Sequence, residues 1–184
     1  MVNSNMTIEE TEFTGERESD SYVLTLDPYG GYVIETDSNG TGGRFTTKPY
    51  VKNVEFGERV GELPTPKRPG YTFDGWFKTT SGFWTPSIGQ PHNGQLQVTE
   101  DTVWNWERDM TFEAAWEPIL CTVVWDPNDG SSQYVVKTDE NIPYGSVLGG
   151  FDSIEIKPER TGYEFVGWFT HPTDGVQVNP YTNV

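Results

Sequence analysis

Three tryptophans carry the most direct chemistry in this sequence. Trp84, Trp104 and Trp106 stand outside the chain's repeated pattern. A flat indole at a protein surface is a platform on which a sugar ring or a partner's apolar side chain stacks, so these three are the binding candidates. Asp37-Ser38-Asn39-Gly40 is like the opening of a calcium loop, with oxygen-bearing side chains followed by a glycine turn. The later ligands and the distal glutamate are not in place, and no metal is expected there. His92 and His171 sit in loops rich in Pro and Gly, without partners at ligand spacing, which argues against zinc. Cys121 is the sole cysteine, so an intrachain disulfide is impossible. No His or basic residue flanks it to activate its thiol, and it reads as a small apolar side chain at the start of a strand. Asp27 and Asp126 each precede Pro at the end of an apolar run, where turn initiation accounts for them. A nucleophile elbow, a Cys/His set, a phosphate loop and a framed carboxylate pair are all missing. The chain reads as a non-enzyme without a cofactor.

Composition narrows the partner class. Of 184 residues, 28 are Asp or Glu and 12 are Lys or Arg, for a formal net charge of −16. A polyphosphate would be repelled across most of such a surface, so nucleic acid is excluded as a partner. Hydrophobic residues make up 34% of the chain and aromatic residues 14%. A few large rings must therefore anchor small cores. Twenty Gly and thirteen Pro, dispersed between short aromatic or β-branched runs, suit a turn-rich β protein. No apolar run has transmembrane length, and Met1 to Thr7 has neither a basic nor an apolar segment of a secretory signal. Either the protein stays in the cell that makes it, or its signal and anchor lie outside these residues, or it reaches the exterior within a particle.

The element that must position any site is a duplicated one. Gly70-Tyr71-Thr72-Phe73-Asp74-Gly75-Trp76-Phe77 returns as Gly162-Tyr163-Glu164-Phe165-Val166-Gly167-Trp168-Phe169, identical at six of eight positions. Tyr71 and Phe73 alternate with Thr72 and Asp74, which is strand periodicity, and Gly75 interrupts it where a strand bends or bulges. Around this motif the first copy supplies strand candidates at 22–26, 32–36, 44–47, 50–54, 95–98, 102–106 and 110–116. Residues 32–36 are expected to pair back on 22–26 as a hairpin across the turn at Asp27-Pro28-Tyr29-Gly30-Gly31. Residues 56–63 suit a single helical turn or an irregular crossing. Thr99-Glu100-Asp101 either caps a short helix or joins two strands. Phe112, Ala114 and Trp116 share a face of a strand expected to close the unit.

The second copy starts at Cys121-Thr122-Val123-Val124-Trp125-Asp126, and Tyr144-Gly145 matches Phe56-Gly57. Asp27 to Phe56 is 29 residues and Asp126 to Tyr144 is 18, so the first copy carries an insertion of eleven residues, placed in the glycine-rich segment 37–43. No counterpart of 110–116 follows in the second copy. A sheet lacking that edge-filling strand exposes unpaired backbone, a template for joining another chain. Either the natural protein continues, or a segment such as residues 5–14 of a neighbouring molecule fills the gap. The domain reading is thus an acidic tail or linker at 1–21, a first module at 22–117 with loop insertions, and a second at 121–184 without its closing strand.

The order of strand, Asp-x-x-Gly-Gly turn, aromatic-Gly, Pro-rich lead, Gly-Tyr-x-Phe-x-Gly-Trp and terminal Phe-x-Ala-x-Trp resembles the Listeria–Bacteroides repeat, or internalin B-repeat. Asp27, Gly30, Gly31, Phe56, Gly57, Gly70, Tyr71, Phe73, Gly75, Trp76, Phe77, Phe112, Ala114 and Trp116 carry the resemblance in the first copy. In the second it rests on Asp126, Gly130, Tyr144, Gly145, Gly162, Tyr163, Phe165, Gly167, Trp168 and Phe169. The resemblance implies small, mainly β, β-grasp-like modules with little helix. It also implies non-catalytic spacer, adhesion and protein-binding roles on bacterial surfaces or phage virions. The expected partner is a protein or a second copy of the chain, with a glycan bound by the tryptophans as the alternative, and no membrane insertion. A hydrolase with an unfamiliar site is the remote third reading.

Overall fold

Alternation becomes strand wherever one face finds a core. The structure, a computed structural model, describes residues 20–36, 43–78, 95–128 and 136–184. The first repeat contains β1 (Ser21–Asp27), β2 (Val33–Thr36), β3 (Gly43–Thr46), β4 (Tyr50–Glu55), β5 (Tyr71–Phe77), β6 (Gln97–Val98) and β7 (Met110–Pro118). The second contains β8 (Leu120–Trp125) and β9 (Lys137–Pro143), followed by two short 3-10 turns, Leu148–Gly150 and Asp152–Glu155. The fold is mainly β, as expected. Residues 5–14, 37–42, 79–94 and 129–135, the last including Gly130, lie outside the described residues.

The first repeat is built on a five-stranded sheet in the order β4-β1-β7-β5-β6. β1 runs antiparallel to β4 and parallel to β7, and β5 runs antiparallel to both β7 and β6. Leu24, Leu26, Val54, Val60, Trp76, Val98, Trp104, Met110, Phe112, Ala114 and Trp116 form one buried cluster over it. The motif strand behaves as its spacing predicts. The β5–β7 register slips between Phe73 and Gly75, a bulge at the glycine, where φ is +144°.

Two expectations are corrected. First, β7 is not an edge strand but lies between β1 and β5. Ala115 is buried as well as Phe112, Ala114 and Trp116, and burial of consecutive residues marks a strand covered on both faces. Second, β2 pairs with β3, not with β1. The turn after β1 is held against Trp116, whose Nε1–H donates to the Pro28 carbonyl at 3.1 Å. A Cβ on Gly31 would lie 2.4 Å from that ring. This clamp leads the chain away from β1, whose edge is taken by β4. Tyr32 then bridges to Lys67, and β2 folds with β3 as a separate ribbon.

The second repeat rebuilds part of this plan. β8 and β9 pair antiparallel as β1 and β4 do. Trp125, Leu148 and Trp168 form its buried cluster, lined by Phe151, Ile154 and Phe165. Residues 56–63 form an irregular crossing in the first copy, whereas the equivalent stretch of the second runs into the 3-10 turns.

Candidate functional site

The twin motifs share atomic detail as well as letters. Trp76 Nε1–H donates to the Pro64 carbonyl and Trp168 Nε1–H to the Ile156 carbonyl, both at 3.1 Å and both twelve residues upstream. Arg68 lies over the Tyr71 ring at 3.9 Å and Arg160 over Tyr163 at 4.0 Å. A Cβ on Gly75 would meet Gln97 Nε2 at 2.6 Å, and one on Gly167 would meet Gln177 Nε2 at 2.7 Å. Trp76 and Trp168 are 3% and 9% exposed. Both rings are interior scaffolding. Asp27 and Asp126 also play one part, each accepting from the backbone N–H two residues on, at 2.9 and 2.8 Å.

The tryptophans expected at the surface are placed differently. Trp84 lies outside the described residues. Trp104 is fully buried in the first core, so its expected exposure is corrected. It also has a counterpart after all. Trp104 N–H donates to the Glu58 carbonyl and Gly57 N–H to the Trp104 carbonyl, and Val184 makes the same two bonds with Ser146 and Gly145. The position repeats although the residue changes, which is why sequence matching missed it. Trp106 is half-buried and packs edge-on against Trp104, with centroids 5.1 Å apart. Thr99-Glu100-Asp101 forms a turn closed by Thr102, whose hydroxyl accepts from Thr99 N–H at 2.8 Å, and no helix follows.

His171 is exposed and meets Asp174 at 2.7 Å, while His92 and the Asp37 segment lie outside the described residues. Among the described residues no three His, Cys, Asp or Glu side chains converge as metal ligands. Cys121 is partly buried within β8.

Two further features concern the backbone, one at the junction between the repeats and one along β8. The first is the junction between repeats. β7 ends at Pro118 and β8 starts at Leu120. Ile119, between them, donates its N–H to the Gly70 carbonyl and accepts from Tyr144 N–H, both at 2.9 Å. Tyr144 then stands edge-on to Tyr71, with centroids 5.7 Å apart. Gly70 is required here. Its φ is +78°, and a Cβ would fall 2.2 Å from the Tyr144 ring. The sequence marks Tyr144 as a repeated aromatic but gives no sign of what it touches.

The second is the open side of the second repeat. In the first, β7 lies between β1 and β5. In the second, residues 163–168 form no strand, and among the described residues none pairs with the side of β8 away from β9. The cost is visible in exposure. Phe77 is 8% exposed and its counterpart Phe169 is 45%, while Tyr163 reaches 68%.

One polar group inside the second core went unnoticed in the sequence. Asp139 on β9 accepts from Trp125 Nε1–H at 2.7 Å and meets Lys137 at 3.1 Å. Burial disfavours its charge, but the contacts from Ser153, Trp125 and Lys137 outweigh that and hold the carboxyl below its usual range. The Ser153 hydroxyl, itself buried, lies toward this carboxylate and helps to lower it, although its geometry falls short of a full hydrogen bond.

Comparison with known proteins agrees with the duplication. The profile of the Listeria-Bacteroides repeat domain matches residues 32–103 and 122–184. A provisionally named Gly-rich membrane protein of Evansella cellulosilytica is 26% identical over 138 residues, which cover 75% of this chain and 13% of that protein. The chain therefore spans a small fraction of that relative. No solved structure gives a significant match. No helix among the described residues is long and apolar enough to cross a membrane.

Proposed function

Because the chain belongs to the Listeria-Bacteroides repeat family, whose modules are typically non-catalytic, we propose that it is a non-enzymatic, surface-associated spacer and protein-interaction unit. The junction between the repeats is the observation that carries this reading. A flexible linker lets two modules reorient freely, whereas here one residue, Ile119, bonds to both and a glycine is moulded to the neighbouring ring. A unit built in this way transmits orientation from one repeat to the next, as a spacer must. The membrane-protein name of the Evansella relative supports a place at the bacterial surface. The β-grasp-like assignment rests on the parallel β1–β7 pair at the centre of a mixed sheet.

Residual dipolar couplings test the spacer role. One alignment tensor describing both repeats is the expected result, and two independent tensors would refute rigid presentation. The glycan alternative has lost Trp104 as a stacking surface and now depends on Trp84 and Trp106. Screening a glycan array with the protein and its Trp106→Ala variant separates it from the spacer reading, which expects no tryptophan-dependent signal.

A further inference from the structure

We propose that the first repeat is a mechanical clamp, built to resist tension applied between its two ends. The chain enters this module at Ser21, where β1 starts, and leaves it at Pro118, where β7 stops. Although most of the module separates them in sequence, these two strands are direct neighbours in the sheet and run parallel. Entry and exit therefore lie at opposite ends of one strand pair.

The register fixes the direction of load. Counting from the Leu24–Met110 pair, three residues lead back to Ser21 and eight lead on to Pro118. At about 3.3 Å per residue the two ends stand roughly 36 Å apart along the strand direction. Tension between them pulls β1 and β7 in opposite senses along their common axis, so that Leu24–Met110, Thr25–Thr111, Leu26–Phe112 and Asp27–Glu113 are loaded together. This is shear. The hydrogen bonds of a sheared ladder must fail at once, whereas those of a peeled ladder fail one after another. Everything between the two strands in sequence is bypassed by the load.

Neighbouring groups reinforce the pair. Val23 N–H donates to Asp109 Oδ1 at 2.8 Å, which extends the contact by one side-chain bond on the entry side of the ladder. Along its other edge β1 is held by β4, from Ser21–Glu55 to Leu26–Tyr50, and β7 is held by β5, from Tyr71–Pro118 to Phe77–Glu113. Neither strand slides without breaking both of its ladders. Leu24, Leu26, Met110 and Phe112 are buried in the core cluster, and a slip of one residue would set core-facing positions of one strand against solvent-facing positions of the other. Beyond β7, the bond from Ile119 N–H to the Gly70 carbonyl passes tension into the turn before β5 as well. The inference deepens the spacer role proposed above and rests on it, since a spacer is put under tension whenever a bound partner is pulled away.

Single-molecule force spectroscopy on the full chain tests the clamp by direction of pull. Cys121→Ala removes the native thiol, and pairs of cysteines at exposed positions supply the handles. Asp20→Cys with Glu117→Cys loads β1 and β7 in shear. Asp20→Cys with Arg108→Cys pulls on adjacent ends of the same two strands and peels them apart. The expected unfolding force is at least about twofold higher in shear than in peeling, because the same ladder is broken together in one case and stepwise in the other. Glu107→Cys gives the same peeling geometry, which keeps the comparison valid if Arg108→Cys misfolds. Equal forces in the two directions, or a lower force in shear, would overturn the proposal. Independent alignment tensors would refute the rigid junction without altering these forces, and equal forces would leave a single tensor untouched.

Discussion

Removing the indole of Trp76 or Trp168 deletes a buried ring together with the N–H that ties each motif to its lead segment. Trp76→Ala and Trp168→Ala should each destabilise their own repeat by about 3–5 kcal/mol, the scale for truncating a large core ring. Denaturant unfolding followed by amide signals from each repeat measures this, and a loss below about 1 kcal/mol would mean the rings are not structural. Asp139 governs a different response. Its carboxyl is held below the usual range, so its contribution is fully present above the unfolded-state value near pH 4 and is lost as pH falls through the folded one. Acid should therefore loosen the second repeat through this group. Asp139→Asn should remove that part of the pH dependence and cost about 1–2 kcal/mol at neutral pH, as expected for weakening hydrogen bonds to a charged group. Unfolding of the variant and the parent between pH 7 and pH 3 decides the matter.

Among the elements, the contact between the Gly70 turn and the Tyr144 turn is the one that a single methyl group breaks. Gly70→Ala places a Cβ where the Tyr144 ring lies and strains a backbone held at φ +78°. The expected outcome is an expelled Tyr144 and two repeats that tumble separately while each keeps its amide pattern, read as divergent NMR relaxation rates. Unchanged relaxation would show that Ile119 alone holds the junction. β7 shows how an element's place is settled by neighbours it cannot announce. Its alternation is visible in Phe112, Ala114 and Trp116. Its position inside the sheet follows from the parallel pairing with β1, a contact between segments more than eighty residues apart.

The whole molecule joins two similar plans with cores of unequal size. Among the described residues eleven buried side chains form the first core cluster and three form the second. Stability follows buried apolar area, so denaturant should unfold the second repeat first. Two transitions are expected, with amides of 137–143 exchanging before those of 110–118. A single cooperative transition would mean that the junction couples the repeats more strongly than their cores differ. What was legible beforehand came from local signals. The strand alternation, the bulge at Gly75 and the Asp-Pro turns each depend on residues only a few positions apart, the duplication is a comparison of two such short stretches, and the family membership rests on the same residues. Other features were set by tertiary contacts. Trp104 is a core residue because the Glu58 turn closes over it, and β2 leaves β1 because Trp116 fills the space beside Gly31. Tyr144 serves as the contact between the repeats because Gly70 leaves room for it. Side-chain types and spacing determine which segments form strands and turns. Only the packed chain determines which strand lies beside which, because that choice depends on surfaces brought together from distant parts of the sequence.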